Sequence, residues 1–231
     1  MYQRILLKLS GEALAGEKGF GLDETMARAV AKQVKEVADG GTQIAIVIGG
    51  GNFWRGRSSD GIDRVKADQI GMLGTVMNCL YVSEIFRTEG MDTAVYTPYA
   101  IGLYTEVFNK DKAMRDLKAG KIVFFAGGTG HPYFSTDMGT ALRAVEMECD
   151  IILMARNVDG VYDSDPATNP NAKKYDSLTY QEMLNQNLKV MDLPATAFCM
   201  ENQMSTRLFA LQEEKSILRV VQGEALGTTI S

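Results

Sequence analysis

The sequence predicts an α/β fold with a mainly parallel central sheet. Three observations carry that prediction. Short, nearly unbroken apolar runs recur: Ile5 to Leu9, Ile44 to Ile48, Ile122 to Ala126 and Ile151 to Met154. Such runs suit strands buried on both faces. Glycine-rich turns follow several of them. Segments with helical periodicity lie between them, and strand, turn and helix in alternation argue for parallel strands with helical crossovers.

Each element can be justified in chain order. Ile5 to Leu9 is the first strand, and glycine-rich Ser10 to Leu22 predicts a loop. Asp23 is a helix cap with Glu24 in the first turn, and Met26, Val30, Val34 and Val37 recur at helical spacing until Gly40-Gly41. Gln43 to Ile48 is the next strand, closed by Gly49-Gly50-Gly51. Val65 to Arg87 predicts a long helix that Gly90 ends, and Thr93 to Tyr96 a short strand. Asp111 to Lys118 is a helix, Ile122 to Ala126 a strand closed by Gly127-Gly128, Met138 to Glu148 a helix and Ile151 to Met154 a strand. Beyond Val158 the texture becomes less regular, with turn clusters at Asp163-Ser164-Asp165-Pro166 and Asn169-Pro170-Asn171. No repeat or flexible linker interrupts the chain, so one compact unit over residues 1–231 with two lobes is expected.

Composition narrows the function. The chain has 231 residues, 45% of them hydrophobic, which suffices for a sizeable core. A net charge of −5, without a basic run, argues against general nucleic-acid binding. The cysteines, Cys79, Cys149 and Cys199, are far apart and show no metal spacing, so they predict reduced, core-packed thiols in a cytosolic protein. The N-terminal apolar run is too short for a signal peptide, and no stretch approaches the ~18 apolar residues of a membrane span.

The chemistry is expected where the glycine turns follow the strands. Ligands of open α/β sheets bind at the carboxyl ends of strands, and glycine lets backbone N–H groups approach a phosphate. The turns are Ser10-Gly11, Gly49-Gly50-Gly51-Asn52, Gly127-Gly128-Thr129-Gly130 and Asp159-Gly160. Neither a GxxxxGK[ST] loop nor a GxGxxG fingerprint after the first strand is present, so the phosphate binder is of another design. Lys8 lies inside a buried strand beside Ser10-Gly11. Such a lysine costs desolvation unless partnered, which suggests a functional cation; the plain alternative is a stem along the sheet with its ammonium in water. Arg55 could grip phosphate with its forked guanidinium, whereas Arg57 reads as a surface charge. Asp68 and Asp192 are further candidate acids, and Asp137 could be a simple helix cap. His131, the one histidine, has no partner spacing for zinc or a Ser-His-Asp triad.

Together these motifs resemble the bacterial uridylate kinases within the amino acid kinase family, over nearly the whole chain. The segments that carry the resemblance are Lys8 to Leu14, Gly49 to Gly56, Asp68 with Gly71 to Asn78, Ala126 to Asp137, Val158 to Tyr162 with Asp165-Pro166, and Gly223 to Thr229. The resemblance implies a three-layer α/β/α sandwich. Its N-terminal lobe (about 1–155) would hold UMP and its C-terminal lobe (about 156–231) would hold ATP. It implies ATP contacts from Lys8, Leu9, Ser10, Gly11, Gly51, Arg55, Asn157, Tyr162 and Asp165. UMP contacts would come from Gly50, Asp68, Thr129, Gly130, His131, Pro132, Tyr133, Phe134, Ser135 and Thr136. Lys8, Arg55 and Asp192 would be catalytic, Asp192 by orienting the lysine. The segment Gly16, Glu17, Lys18, Gly19, Phe20, Gly21 resembles one linked to GTP activation. A homohexamer, Mg²⁺ dependence with ATP and inhibition by UTP are also implied.

Two departures stand out. His131 replaces a customary Asn, which keeps a hydrogen-bond donor and adds a titratable ring. Met154-Ala155-Arg156-Asn157 departs where relatives often carry Lys or Thr, and Arg156 could supply that cation. Rival readings are a kinase of the same fold acting on a carboxylate or carbamate, a non-catalytic nucleotide sensor or storage scaffold, and, more distantly, a dinucleotide-dependent oxidoreductase.

Overall fold

The alternation of apolar strands and crossover helices produces one continuous sheet. The computed structural model describes residues 2–54 and 61–231; Arg55 and Arg57 lie outside the described residues. The elements are β1 (Arg4–Leu9), α1 (Gly11–Leu14), α2 (Glu24–Asp39), β2 (Gln43–Ile48), α3 (Arg64–Thr88), β3 (Thr93–Thr97), β4 (Glu106–Val107), α4 (Lys110–Lys118), β5 (Ile122–Phe125), α5 (Thr136–Glu146) and β6 (Ile151–Arg156). The chain continues through β7 (Val161–Tyr162), β8 (Lys174–Tyr175), β9 (Ser177–Leu178), α6 (Tyr180–Asn185), α7 (Leu193–Glu201), β10 (Thr206–Ala210), α8 (Ser216–Val221) and β11 (Thr228–Ile230).

Among the described residues the main sheet has nine strands in the order β4-β3-β5-β2-β1-β6-β10-β11-β9. Every pairing is parallel except β10 with β11. A separate antiparallel pair joins β7 to β8. The parallel strands send their carboxyl ends to one edge. Strand β1 sits between β2 and β6, so the order reverses at β1 and opens a crevice where Ser10-Gly11 leaves it.

Two apolar layers cover the sheet. On one face Ile5, Leu7 and Leu9 pack with Ala27, Val30 and Val34 of α2, Val82 and Phe86 of α3 and Ile217 of α8. On the other, Leu6 packs with Leu117 of α4, Ala141 and Ala144 of α5 and Cys199 of α7. The two-residue period places Lys8 on the Leu6 face, toward α5.

Caps explain most helix starts. Asp23 Oδ1 accepts from the Met26 N–H at 3.1 Å and Asp63 Oδ1 from the Lys66 N–H at 3.1 Å. The structure corrects three sequence expectations. The stretch from Ser10 to Leu22 is not wholly loop, because α1 begins at Gly11; Glu12, Ala13 and Leu14 favour helix, and Ala13 and Leu14 are buried. Helix α5 begins at Thr136 rather than Met138, and its cap is Ser135, whose hydroxyl accepts from the Met138 N–H at 3.2 Å. Asp137 is therefore not the cap.

All three cysteines are free and buried. Burial pushes the Cys79 and Cys149 thiols up to about 12 and Cys199 up to about 11, so they stay protonated and inert.

Candidate active site

The carboxyl edge of the sheet gathers the glycine turns into one crevice. A first cavity is lined by Lys8, Ser10, Gly11, the Gly49 to Gly51 turn, Asp137 and Arg156, among others. A second is lined by Asp68, Trp54, Arg64, Thr75, Gly128, Thr129 and Phe134, among others. The two meet along Gly50, Gly51, Ser135 and Thr136. A third cavity shares Arg156 and Val158 with the first and extends past Tyr162, Asp165 and Pro166 to Leu188 and Val190.

Lys8 is the centre of the first cavity. Its side chain is only 11% exposed, and its ammonium donates to Asp137 Oδ1 on the facing helix. Arg156 reaches the same carboxylate, with Nη2 at 3.4 Å from Oδ1 and 3.5 Å from Oδ2. Burial lowers the Lys8 pKa, with the Asp137 charge opposing it and Arg156 adding to it. For Asp137, burial pushes upward, but the Lys8 and Arg156 charges prevail and hold its carboxyl below the usual carboxylate range. Lys8 and Arg156 share the Asp137 carboxylate, and both line the first cavity, where an anionic ligand would meet them.

Asp137 is an acid whose carboxylate bonds Lys8. Asp192, the sequence candidate for orienting the lysine, caps α7 by accepting from the Ala195 N–H at 2.9 Å. Its charge also favours protonated Lys8, and its backbone N–H stabilises the ionised Asp137.

Close backbone approach builds the floor. A Cβ on Gly11 would stand 2.3 Å from Asn52 Oδ1 and 2.4 Å from the Gly49 carbonyl oxygen, so only glycine fits there. Gly11→Ala is expected to cost about 2 kcal/mol or more through overpacking. Denaturant midpoints would show this; an unchanged midpoint would mean that the turns part easily.

Asn52 and Asn78 make a buried reciprocal amide pair at 2.9 and 2.8 Å. Asn78 Nδ2 also donates to the Gly49 carbonyl at 2.6 Å, and Asn52 Nδ2 to the Gly21 carbonyl at 2.6 Å. The pair ties the glycine turn to α3 and to the Gly16–Gly21 segment. That segment begins with a 3-10 turn over Gly16–Lys18, and Phe20 meets Phe53 edge-on with ring centroids 5.7 Å apart.

In the second cavity Asp68 Oδ2 accepts from the Tyr133 N–H at 2.8 Å. Thr75 Oγ1 accepts from the Gly127 N–H at 2.8 Å and so fixes the start of the 127–136 loop. Of that loop, Gly128, Thr129, Phe134, Ser135 and Thr136 line the second cavity. His131 is exposed, and its backbone N–H bonds Thr129 Oγ1 at 3.3 Å. Pro132 and Tyr133 form the outer bend, while Gly130 packs on Pro98.

On the remaining side, Asn157 lines the first cavity rather than the third and accepts from Gln212 Nε2 at 2.8 Å. Tyr162 and Asp165 line the third cavity; the Tyr162 hydroxyl donates to Asp159 at 2.9 Å, and Asp165 Oδ1 accepts from the Ala167 N–H at 2.9 Å. Leu9 lies in the apolar core behind these groups. Arg55 and Gly56 lie outside the described residues.

Sequence reasoning missed Arg64, Asn78 and the Lys8–Asp137 pair. Asp137 carried a signal, since a helix-start acid opposite a buried lysine can be a partner as well as a cap.

Comparison with known proteins agrees with this geometry. The family model described as the amino acid kinase family matches residues 3–210. The UMP kinase of Bacillus anthracis superposes with a TM-score of 0.96 at 37% identity, over 100% of this chain and 96% of its own. The UMP kinase of Ureaplasma parvum gives 0.94 at 35% identity, over 100% and 99%. The uridylate kinase of Archaeoglobus fulgidus gives 0.75 at 27% identity, over 98% and 99%. A match of this extent, on a chain whose glycine turns, buried lysine and adjoining cavities share one sheet edge, places the chain in the amino acid kinase family.

Proposed function

We infer that the chain is a uridylate kinase, transferring the terminal phosphoryl group of ATP to UMP in pyrimidine nucleotide synthesis. One observation carries this reading: two cavities, one with the buried lysine and one with Asp68, meet along Gly50, Gly51, Ser135 and Thr136. A donor and an acceptor phosphate can approach in line across such a seam.

Phosphoryl transfer asks the protein mainly for positioning and charge neutralisation. Lys8 would stabilise charge on the transferring group, with Arg55 beside it. Ser10, Gly11 and Gly51 would hold the ATP phosphates through backbone donors. The third cavity would take the base and ribose of ATP against Tyr162 and Asp165, with Asn157 toward the phosphates. Asp68 would read the UMP sugar, and Gly50 with the loop from Thr129 to Thr136 would hold the rest. No general base is required, because the UMP phosphate oxygen is itself the nucleophile. Asp192 would support the protonated Lys8 from behind Asp137.

Among the described residues no group of three His, Cys, Asp or Glu side chains could hold a metal. Glu12 and Asp137 are the carboxylates that line the first cavity, and Mg²⁺ carried by ATP would be held mainly by phosphate oxygens beside them. When bound, the ion would neutralise phosphate charge.

Further parts of the proposal follow the resemblance. GTP would act through the Gly16–Gly21 segment, which Asn52 ties to the glycine turn. UTP would inhibit. Ile70, Leu73 and Met77 form an exposed apolar stripe on α3 that supports self-association, and a homohexamer is proposed. No described helix is long and apolar enough to cross a membrane, and the three buried thiols fit a cytoplasmic protein.

A coupled ADP-release assay with Mg-ATP tests the function. The acceptor panel is UMP, CMP, dUMP, acetylglutamate, aspartate and carbamate. Turnover with UMP is expected. Turnover with an acid or carbamate instead would overturn the substrate, and UMP binding without any turnover would overturn the catalysis.

A further inference from the structure

Two hydrogen bonds converge on one oxygen of Asp68. Its Oδ2 accepts from Arg64 Nε at 2.8 Å and from the Tyr133 backbone N–H at 2.8 Å. Among the described residues, Oδ1 has no bond. The Arg64 guanidinium also lies over the Tyr133 ring, 5.2 Å from its centroid. Tyr133 has φ of 71°, in the left-handed region that side chains other than glycine adopt only when their surroundings hold them there.

Arg64 is poorly placed for helix stability. It is the first residue of α3, where a cation opposes the helix dipole, and that first turn carries no acid. The bland account is an i,i+4 surface pair of little consequence. That account does not explain why the same guanidinium stacks on the loop that shares the Asp68 oxygen. Arg64 and Asp68 both line the second cavity.

We propose that Arg64 is a positioning residue for the acceptor nucleotide. It fixes the Asp68 carboxylate so that Oδ2 anchors the 127–136 loop at Tyr133 while Oδ1 is presented to the sugar hydroxyls. One carboxylate then serves two tasks, and the arginine keeps them on separate oxygens. The inference rests on the uridylate kinase reading, because it needs a nucleoside monophosphate in the second cavity.

The test is steady-state kinetics on R64Q, R64K, D68N and the R64Q/D68N double variant, with UMP and ATP varied separately. R64Q is expected to raise KM for UMP by roughly 10-fold, while kcat and KM for ATP stay within about twofold. Its melting temperature should hold or rise slightly, since the unfavourable charge at the helix start is gone. R64K should recover little, because an ammonium cannot donate in a fixed plane and stack at once. In the D68N background, R64Q should add less than about twofold, as expected of residues acting through one group.

An unchanged KM for UMP in R64Q would overturn the inference. So would effects that multiply in the double variant, or an equal rise in KM for ATP. If the wild type does not phosphorylate UMP, the kinase reading fails and takes this inference with it; a normal wild type beside an unaffected R64Q defeats the inference alone.

Discussion

Replacing Lys8 with alanine is expected to lower kcat by about 10³-fold, the scale seen when one preorganised charge donor is removed from a transition state. KM for UMP should stay within about threefold, because Lys8 lines the first cavity and not the second. The fold should survive, since Asp137 keeps Arg156 as a cationic partner at 3.4 Å. Desolvation of the ammonium sets the size of this effect. An ammonium with 11% exposure is held out of water, where its field on a nearby phosphate is screened far less than at the surface. That benefit rises as negative charge shifts between donor and acceptor oxygens, so it appears in kcat rather than in binding. Equal losses in turnover and UMP affinity would remove Lys8 from the transition state and make it a binding residue.

The lysine also shows what the sequence made legible. Its place two residues after Leu6, inside an apolar run and just before Ser10-Gly11, marks a buried cation at a strand end. The apolar runs of β1, β2, β5 and β6 announced the centre of the sheet, because strands buried on both faces have little choice of residue. The C-terminal part was less readable for physical reasons. Strands β7, β8 and β9 are two residues each, too short to show a period. Helix α6 is six residues long, and its signal is a capping box between Thr179 and Glu182 rather than periodicity. Asp192 with Pro194 similarly marks the start of α7, where the hydrophobic pattern is too uniform to define a face. Within the site, the glycines were legible one by one, but their mutual contacts were not. Gly11 against Gly49, and Asn52 against Asn78, are pairings of residues 38 and 26 apart; the β1–β2 register brings the first together and the packing of α3 the second.

Asp137→Asn is expected to produce the second large effect, and its signature is a displaced pH profile. Asparagine keeps the volume and one acceptor for Lys8 but removes the charge that opposes the burial of the ammonium. Lys8 already has a lowered pKa; without Asp137 it falls further, and a larger share of the lysine is neutral at neutral pH. Turnover should drop by about 10²-fold at pH 7.5, and the alkaline limb of the kcat profile should move to lower pH. Lowering the pH should then recover part of the loss in D137N but not in the wild type. Stability should move in a related way. The depressed folded pKa of Asp137 means that its ion pairs stabilise the native state above the ordinary carboxylate range and are lost as pH falls through the folded value. Near neutrality D137N should therefore be less stable, by about 2 kcal/mol, a figure below the usual cost of breaking a buried pair because Lys8 can shed its proton. Toward acid pH the two proteins should converge, since the wild-type carboxyl is then protonated as well. Denaturant midpoints across pH, set beside the kcat profiles, measure both halves. A kcat profile that keeps its alkaline limb in place would show that Asp137 does not control the charge on Lys8, whatever it contributes to the fold.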